Sequence, residues 1–313
     1  MPPHGPPRAA VAVPPQREAG IPGSCRTAAS FRYDSVSMSA STDSTTLPRR
    51  RDFMRPVRYV VRTPLLALHI ALSLPLAVLS LNPWFAKIPI GRRRFDHVMI
   101  SWWSGTMVRL FGFRIRRFGT PLPGAVMYVA NHISWLDIEL MHSQRAISFV
   151  AKSEIARWPL VGWLATRAGT IYHQRGNTHS MNSVMERVVE RLRGGRPVGI
   201  FPEGGTGRGD EVRVFHARVF QAALDAEVPV QPVALRYGRD GRQDPAVPFA
   251  RGEHFAGNFF RLLGNPSMDA EVHFLEPVQS TPDARRRMAE ESRARIMAAL
   301  GQVDTKKRRG VEE

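Results

Sequence analysis

Asn131, His132 and Asp137, in the stretch Met127 to Ile138 (MYVANHISWLDI), are the first candidates for chemistry. A neutral imidazole can take the proton from an attacking hydroxyl, and a carboxylate beside it fixes the tautomer and steadies the imidazolium that forms. On a regular helix the five-residue step from His132 to Asp137 turns the chain by about 500°, so the two side chains would point roughly 140° apart. They meet only if His132 precedes the helix. The pattern allows this: Met127 to Ala130 is a short apolar run of strand formers, Asn131 and His132 break it, and Ser134 reads as an N-cap with Asp137 at N3. Standing alone, the same residues also fit a capping box with His132 as a turn residue.

Three further stretches could converge on His132. Gly169 to Arg175 (GTIYHQR) ends in an arginine where a strand meets a loop, and a guanidinium there could grip a phosphate or form a surface salt bridge. Val198 to Gly209 (VGIFPEGGTGRG) places Glu203 before four glycines, which permit either a nest of backbone N–H groups for a phosphate or oxyanion, or a flexible turn with a solvated Glu203. No Gly-Lys-Ser/Thr closes it, so it is not a nucleotide P-loop. Val228 to Ala234 (VPVQPVA) reads as a buried strand whose two prolines point to a sheet edge or end.

Positioning these groups calls for an α/β domain. Strands are expected at Arg114–Phe118, Met127–Ala130, Ile147–Ala151, Thr170–Tyr172, Pro197–Phe201, Val228–Tyr237 and Ala270–Pro277. Helices are expected at Ser134–His142, Pro159–Arg167, Thr178–Arg193, Arg213–Ala226 and Asp283–Leu300. Alternation of this kind predicts a largely parallel sheet covered by helices, with reactive groups at the strand carboxyl ends.

Before that domain, residues 1–53 are Pro-rich and then Ser/Thr-rich, a composition expected to be disordered, and Met38 and Met54 are plausible starts. A basic cluster leads into Pro64 to Leu81, an uncharged apolar run just long enough to span a bilayer or to dip into one leaflet. Asp96 to Phe113 carries Val98, Met99, Trp102, Trp103, Met107, Leu110 and Phe111 at amphipathic spacing, which suits an interfacial helix or one packed on the soluble domain. The chain thus divides into a tail (1–53), anchoring helices (54–112), an α/β domain (113–300) and a charged tail (301–313). Its formal net charge of +17 points to anionic partners. The lone Cys25 excludes a disulfide framework and a cysteine metal site. Nucleic-acid binding would explain the charge but not the apolar run, and no nucleic-acid module or G-x-S-x-G hydrolase elbow is present.

Taken in order, the four stretches resemble the 1-acylglycerol-3-phosphate acyltransferase family, the bacterial lysophospholipid acyltransferases. Asn131, His132 and Asp137 match its NHxxxxD motif; Gly169, Ile171 and Arg175 match G-x-I-F-I-x-R; Phe201, Pro202, Glu203 and Gly204 match F-P-E-G; and Val228 to Val233 match V-P-V-x-P-V. The resemblance covers roughly Val57 to Leu235. After Gly204 the chain reads Gly205, Thr206, Gly207, Arg208, so the family's Thr-Arg pair is displaced. The resemblance implies acyl transfer from acyl-CoA or acyl carrier protein, with no other cofactor and no metal, to 1-acylglycerol-3-phosphate, or alternatively to lyso-ornithine lipid. In that scheme His132 and Asp137 are catalytic, while Asn131, Arg175, Glu203, Gly204, Gly205, Thr206 and Arg208 bind substrate. The setting it implies is a membrane lipid surface, the inner membrane, with the catalytic domain facing the cytoplasm.

Overall fold

The computed structural model describes residues 52–80, 82–91, 93–158, 161–173, 178–279 and 284–302. Nearly all of the two expected tails, and Arg175, lie outside them. Helix α1 (Arg55–Ser80) and the short α2 (Pro83–Ala86) come first, followed by an antiparallel pair, β1 (Pro89–Ile90) with β2 (Arg93–Arg94), and by α3 (Phe95–Leu110). Strands and helices then alternate through β3 (Phe113–Phe118), β4 (Met127–Ala130), α4 (Leu136–Gln144), β5 (Ser148–Lys152), α5 (Val161–Arg167), β6 (Ile171–His173), α6 (Thr178–Arg193) and β7 (Val198–Ile200). The order closes with α7 (Gln221–Asp225), β8 (Val230–Arg239), β9 (Arg242–Gln243), α8 (Phe255–Leu263), β10 (Met268–Phe274) and α9 (Arg285–Ala299).

The described strands from β3 on form one sheet in the order β3-β10-β8-β4-β7-β5-β6, with β9 paired to the end of β8. All neighbours run parallel except β8 with β10 and β8 with β9. The largely parallel sheet expected from the alternation is therefore present. Its central strands are buried on both faces, as β4 shows by alternation. Tyr128 and Ala130 join Leu136, Leu140 and Met141 of α4 and Phe111 at the end of α3, whereas Met127 and Val129 join Val184, Val188 and Leu192 of α6 and Met288 and Ile296 of α9. Each such large apolar side chain contributes about 1.5–3 kcal/mol on burial.

Two expectations need correction. The strand with two prolines is not at an edge, because β8 lies between β4 and β10. Pro229 precedes the strand, and the Pro232 carbonyl accepts from Leu275 N, just past the last paired residue of β10, so its missing N–H falls where the ladder has ended. The helix expected over Arg213–Ala226 is instead a loop, a 3-10 turn (Ala217–Phe220) and the short α7. Arg213 N donates to Glu203 and His216 N to the Pro202 carbonyl, so these donors serve the neighbouring loop rather than a helix. Helix α8 was not expected, although Phe255, Phe259, Leu262 and Leu263 follow the helical period.

Among the described residues α1 is the one helix long and apolar enough to cross a membrane, and it measures about 39 Å. Its buried stripe is Leu66, His69, Ser73, Ala77 and Ser80, mostly small or polar, while Leu65, Leu68, Leu72, Leu76 and Leu79 are exposed. This reverses the usual polarity of a surface helix. Its first turns are fastened to the domain: Arg58 donates to the Gly264 carbonyl, Tyr59 to that of Phe260, and Arg62 to those of Leu263 and Asn265. Helix α3 packs between α1 and α4, so the apolar stripe read from Asp96 to Phe113 serves mainly as a layer of the domain, with Trp102 left 45% exposed.

Gly199 in β7 shows how tightly the site is underpinned. A Cβ at this position would enter the Phe149 ring, which lies against Phe201. Gly199→Ala should therefore cost about 1–3 kcal/mol of stability, read as a lowered Tm of the detergent-solubilised protein.

Candidate active site

Because β4 and β7 are parallel neighbours, the segments that follow them leave the sheet at the same edge. Asn131 and His132 leave from β4, and Phe201, Pro202 and Glu203 from β7. Asn131 is buried, and its amide is bound at both ends to Leu235 of β8, donating to the carbonyl at 2.9 Å and accepting from the N–H at 2.8 Å. The side chain thereby continues the β4–β8 ladder past the end of β4. Both ends of its amide hold the strand exit.

His132 next to it is fixed on several sides. Its Nδ1 lies 2.8 Å from Asp137 Oδ2, its backbone N–H donates to Glu203 Oε1 at 2.9 Å, and its carbonyl accepts from Gly207 N at 2.6 Å. Its ring stacks on Phe201, centroids 4.0 Å apart and planes 13° apart. With Nδ1–H donating to Asp137, Nε2 carries the lone pair that can accept a proton.

Asp137 is fully buried. Its Oδ2 also accepts from Ile133 N at 2.6 Å and Ser134 N at 3.0 Å, and its Oδ1 from the Tyr237 hydroxyl at 2.8 Å. The carboxylate reaches back from the first turn to Ser134 N as the sequence predicted, and the Ser134 hydroxyl accepts from Leu136 N at 3.4 Å. Helix α4 runs from Leu136, with Trp135 before it already in helical backbone conformation. Burial first, and then the neighbouring Asp137 charge, hold the Tyr237 hydroxyl well above its ordinary pKa, so it stays a donor. Tyr237 was missed from the sequence: it lies 100 residues from Asp137, and its only signal was its place at the end of an expected strand.

Glu203 is buried too, and burial pushes its carboxyl above the ordinary range against the pull of its donors. Oε1 takes His132 N, and Oε2 takes Arg213 N at 3.2 Å and Arg213 Nε at 3.1 Å. Glu203 is therefore not a solvated turn residue; it ties the turn after β4 to two parts of the long loop after β7. Arg213, another residue the sequence reading missed, also donates to the Gly205 carbonyl. Gly204 and Gly209 have positive φ (73° and 81°), the conformation the turn requires. Gly204 N donates to the Phe201 carbonyl and Gly207 N to that of His132, while the N–H groups of Gly205 and Thr206 make no hydrogen bond among the described residues. Arg208 points to solvent, its side chain 86% exposed and 3.9 Å from Asp210.

Asn131→Ala would leave the buried N–H and carbonyl of Leu235 without partners. A loss of about 1–3 kcal/mol is expected in denaturant unfolding.

The geometry agrees with what comparison finds. The Acyltransferase family model matches residues 116–236, a span that includes all four stretches. Lyso-ornithine lipid O-acyltransferase of Pseudomonas aeruginosa is 35% identical over 251 residues, 79% of this chain and 95% of that protein. 1-acyl-sn-glycerol-3-phosphate acyltransferase of Neisseria meningitidis is 39% identical over 181 residues, 58% of this chain and 71% of that protein. Among solved structures, that of the 1-acyl-sn-glycerophosphate acyltransferase PlsC of Thermotoga maritima shares the fold, with a TM-score of 0.58, 20% identity, and coverage of 80% of this chain and 100% of that one. The chain is an acyltransferase and belongs to the 1-acylglycerol-3-phosphate acyltransferase family, among whose members are proteins named for lyso-ornithine lipid.

Proposed function

We propose that this chain transfers a fatty acyl group from acyl-CoA or acyl carrier protein to the free hydroxyl of a lysolipid, with His132 as general base and Asp137 orienting it. The observation that carries this reading is the 2.8 Å pair of His132 Nδ1 and Asp137 Oδ2, on a carboxylate already held by three other donors. Nε2 takes the hydroxyl proton as the oxygen attacks the thioester carbonyl. The tetrahedral intermediate then collapses, the C–S bond breaks, and the imidazolium returns the proton to the departing thiol. The Gly205 and Thr206 N–H groups immediately precede Gly207, whose N–H binds the His132 carbonyl, and they suit the developing oxyanion.

Two acceptors were open from the sequence, 1-acylglycerol-3-phosphate and lyso-ornithine lipid. The outward Arg208 favours lyso-ornithine lipid, since it does not supply the inward cation that a phosphate monoester would need from this loop. The relative named for lyso-ornithine lipid is also aligned over 95% of its length. Arg175, the other phosphate candidate, falls outside the described residues. The exposed leucines of α1 suit attachment to a lipid surface, and the inner membrane with the catalytic domain on its cytoplasmic side is the setting we assign.

His132→Ala should lower kcat by about 10²- to 10⁴-fold with the fold and membrane attachment kept. Near wild-type turnover would remove His132 from the mechanism. An acceptor screen with labelled acyl donor should show lyso-ornithine lipid outcompeting lysophosphatidic acid, with Arg208→Ala silent; a raised KM for lysophosphatidic acid in Arg208→Ala would reverse the choice.

Tyr237→Phe should lower kcat about ten-fold with little change in acceptor KM, because a hydrogen bond to a buried charge is lost. Without that donor the Asp137 anion holds the imidazolium proton more strongly. The acid limb of kcat/KM therefore moves to higher pH, and an unmoved limb would show that Tyr237 acts only in packing.

A further inference from the structure

The opposite edge of the sheet carries a second group of charged residues that the reaction does not use. Thr170 precedes β6, Pro197 precedes β7 and Ser148 opens β5, so all three lie at strand amino ends. His132, after β4, lies at the carboxyl end of the parallel set. Two adjoining clefts open at this amino edge and share Arg196. One is lined by Arg187, Arg191 and Arg196 with Glu190; the other adds Lys87, Arg94 and Arg167, with Asp96 as its carboxylate.

The side chains of Arg187, Arg191 and Arg196 make no hydrogen bond or ion pair among the described residues, whereas Arg94 is paired with Asp96 at 2.5 Å. Arg191 lies close against Gly169, where a Cβ would be 3.3 Å from its Nη1, and Gly169 has a φ of 91°. This gives the glycine of the GTIYHQR stretch a physical reason: it lets the backbone turn beside a guanidinium. Burial and then the neighbouring Arg196 both disfavour the charge on Arg191. Among the residues that line this cleft, three cations thus face one carboxylate, Glu190, which offsets their repulsion only in part.

The flanks of the clefts are apolar and exposed. Ala86 and Lys87 in the wall continue into Trp84 (87% exposed), Phe85 and Ile88, and Arg167 ends α5, on which Val161 and Trp163 are exposed. Aromatic side chains beside cations are the pattern of a membrane–water interface, where rings sit at headgroup level and arginines meet phosphates. Helix α3 connects this edge to the reaction centre. His97 and Ile100 near its start line the second cleft, which adjoins the first at Arg196, and Phe111 just past its end packs on Trp135, ring centroids 5.3 Å apart, three residues after His132. The helix is about 24 Å long, which sets the distance between the two places.

We propose that the Arg187–Arg191–Arg196 cleft binds the phosphate-bearing headgroup of an anionic bilayer phospholipid, separate from the lysolipid that reacts at His132. Its occupation seats the enzyme on anionic membrane. The inference rests on the reading that the enzyme works at a lipid surface, and the test keeps the two apart. The full-length protein is offered phosphatidylcholine vesicles and phosphatidylcholine vesicles containing phosphatidylglycerol together, and its distribution between them is measured.

Wild type should favour the anionic vesicles, and replacing all three arginines by glutamine should weaken that preference about 100-fold, from about five-fold per arginine at a membrane surface. Replacing all three by lysine should keep most of it. Acyl transfer to detergent-dispersed acceptor should be unchanged in both variants, which reports the chemistry and the fold independently. Replacing Arg117, Arg242 and Arg251 by glutamine removes the same charge elsewhere and should leave most of the preference. An equal loss in that control would mean net charge alone is responsible and would overturn the proposal. So would an undiminished preference in the cleft variant, or saturation of the cleft by millimolar inorganic phosphate with no arginine-dependent vesicle preference, which would mark a site for free phosphate.

Discussion

The Asp137 carboxylate is the point on which the rest of the site depends. A buried anion is tolerated only when its oxygens are taken by donors, and this one has donors from three sources: the His132 ring, the Ile133 and Ser134 backbone, and the Tyr237 hydroxyl. The first two come from the turn after β4, the third from β8. A single charge therefore sets which way the imidazole faces and how far β8 must run past β4. The Asn131 splice to Leu235 acts to the same end, since it fixes the register that brings Tyr237 to Asp137.

A second buried carboxylate does comparable work one loop away. Glu203 joins the backbone of His132 to Arg213, and Arg213 turns back to the Gly205 carbonyl. Both acids are bonded to the protein's own donors. Motif residues of equal prominence in the sequence thus fall into two kinds: His132, with an atom free to act, and Asn131 and Glu203, whose polar atoms are spent on holding it.

Much of this was legible in the sequence where one local rule decided the outcome. The strand–turn–helix path around His132 followed from its incompatibility with a shared helix, and β4 was read to the residue because a doubly buried strand has one pattern. The reading failed where long-range partners overrode local preference. Arg213 to His216 would extend a helix but for the donors they give to Glu203 and Pro202. Pro232 suits an interior strand only because β10 stops beside it. Tyr237 carries no local mark of its partner. The direction of Arg208 also depends on how Gly207 is tied down, which spacing does not encode.

Phe201 covers one face of the His132 ring, and Phe149 backs Phe201 in turn. With one face covered and Nδ1 tethered, the imidazole cannot rotate by half a turn to exchange its nitrogens. In the proposed reaction a single nitrogen must then collect the proton from the alcohol and deliver it to the sulfur. Both must come within reach of the same atom without the ring moving between them, so the two lipid-bearing molecules have to be present at once. The stacking of two rings thereby favours a sequential order of events over one in which the donor leaves before the acceptor arrives.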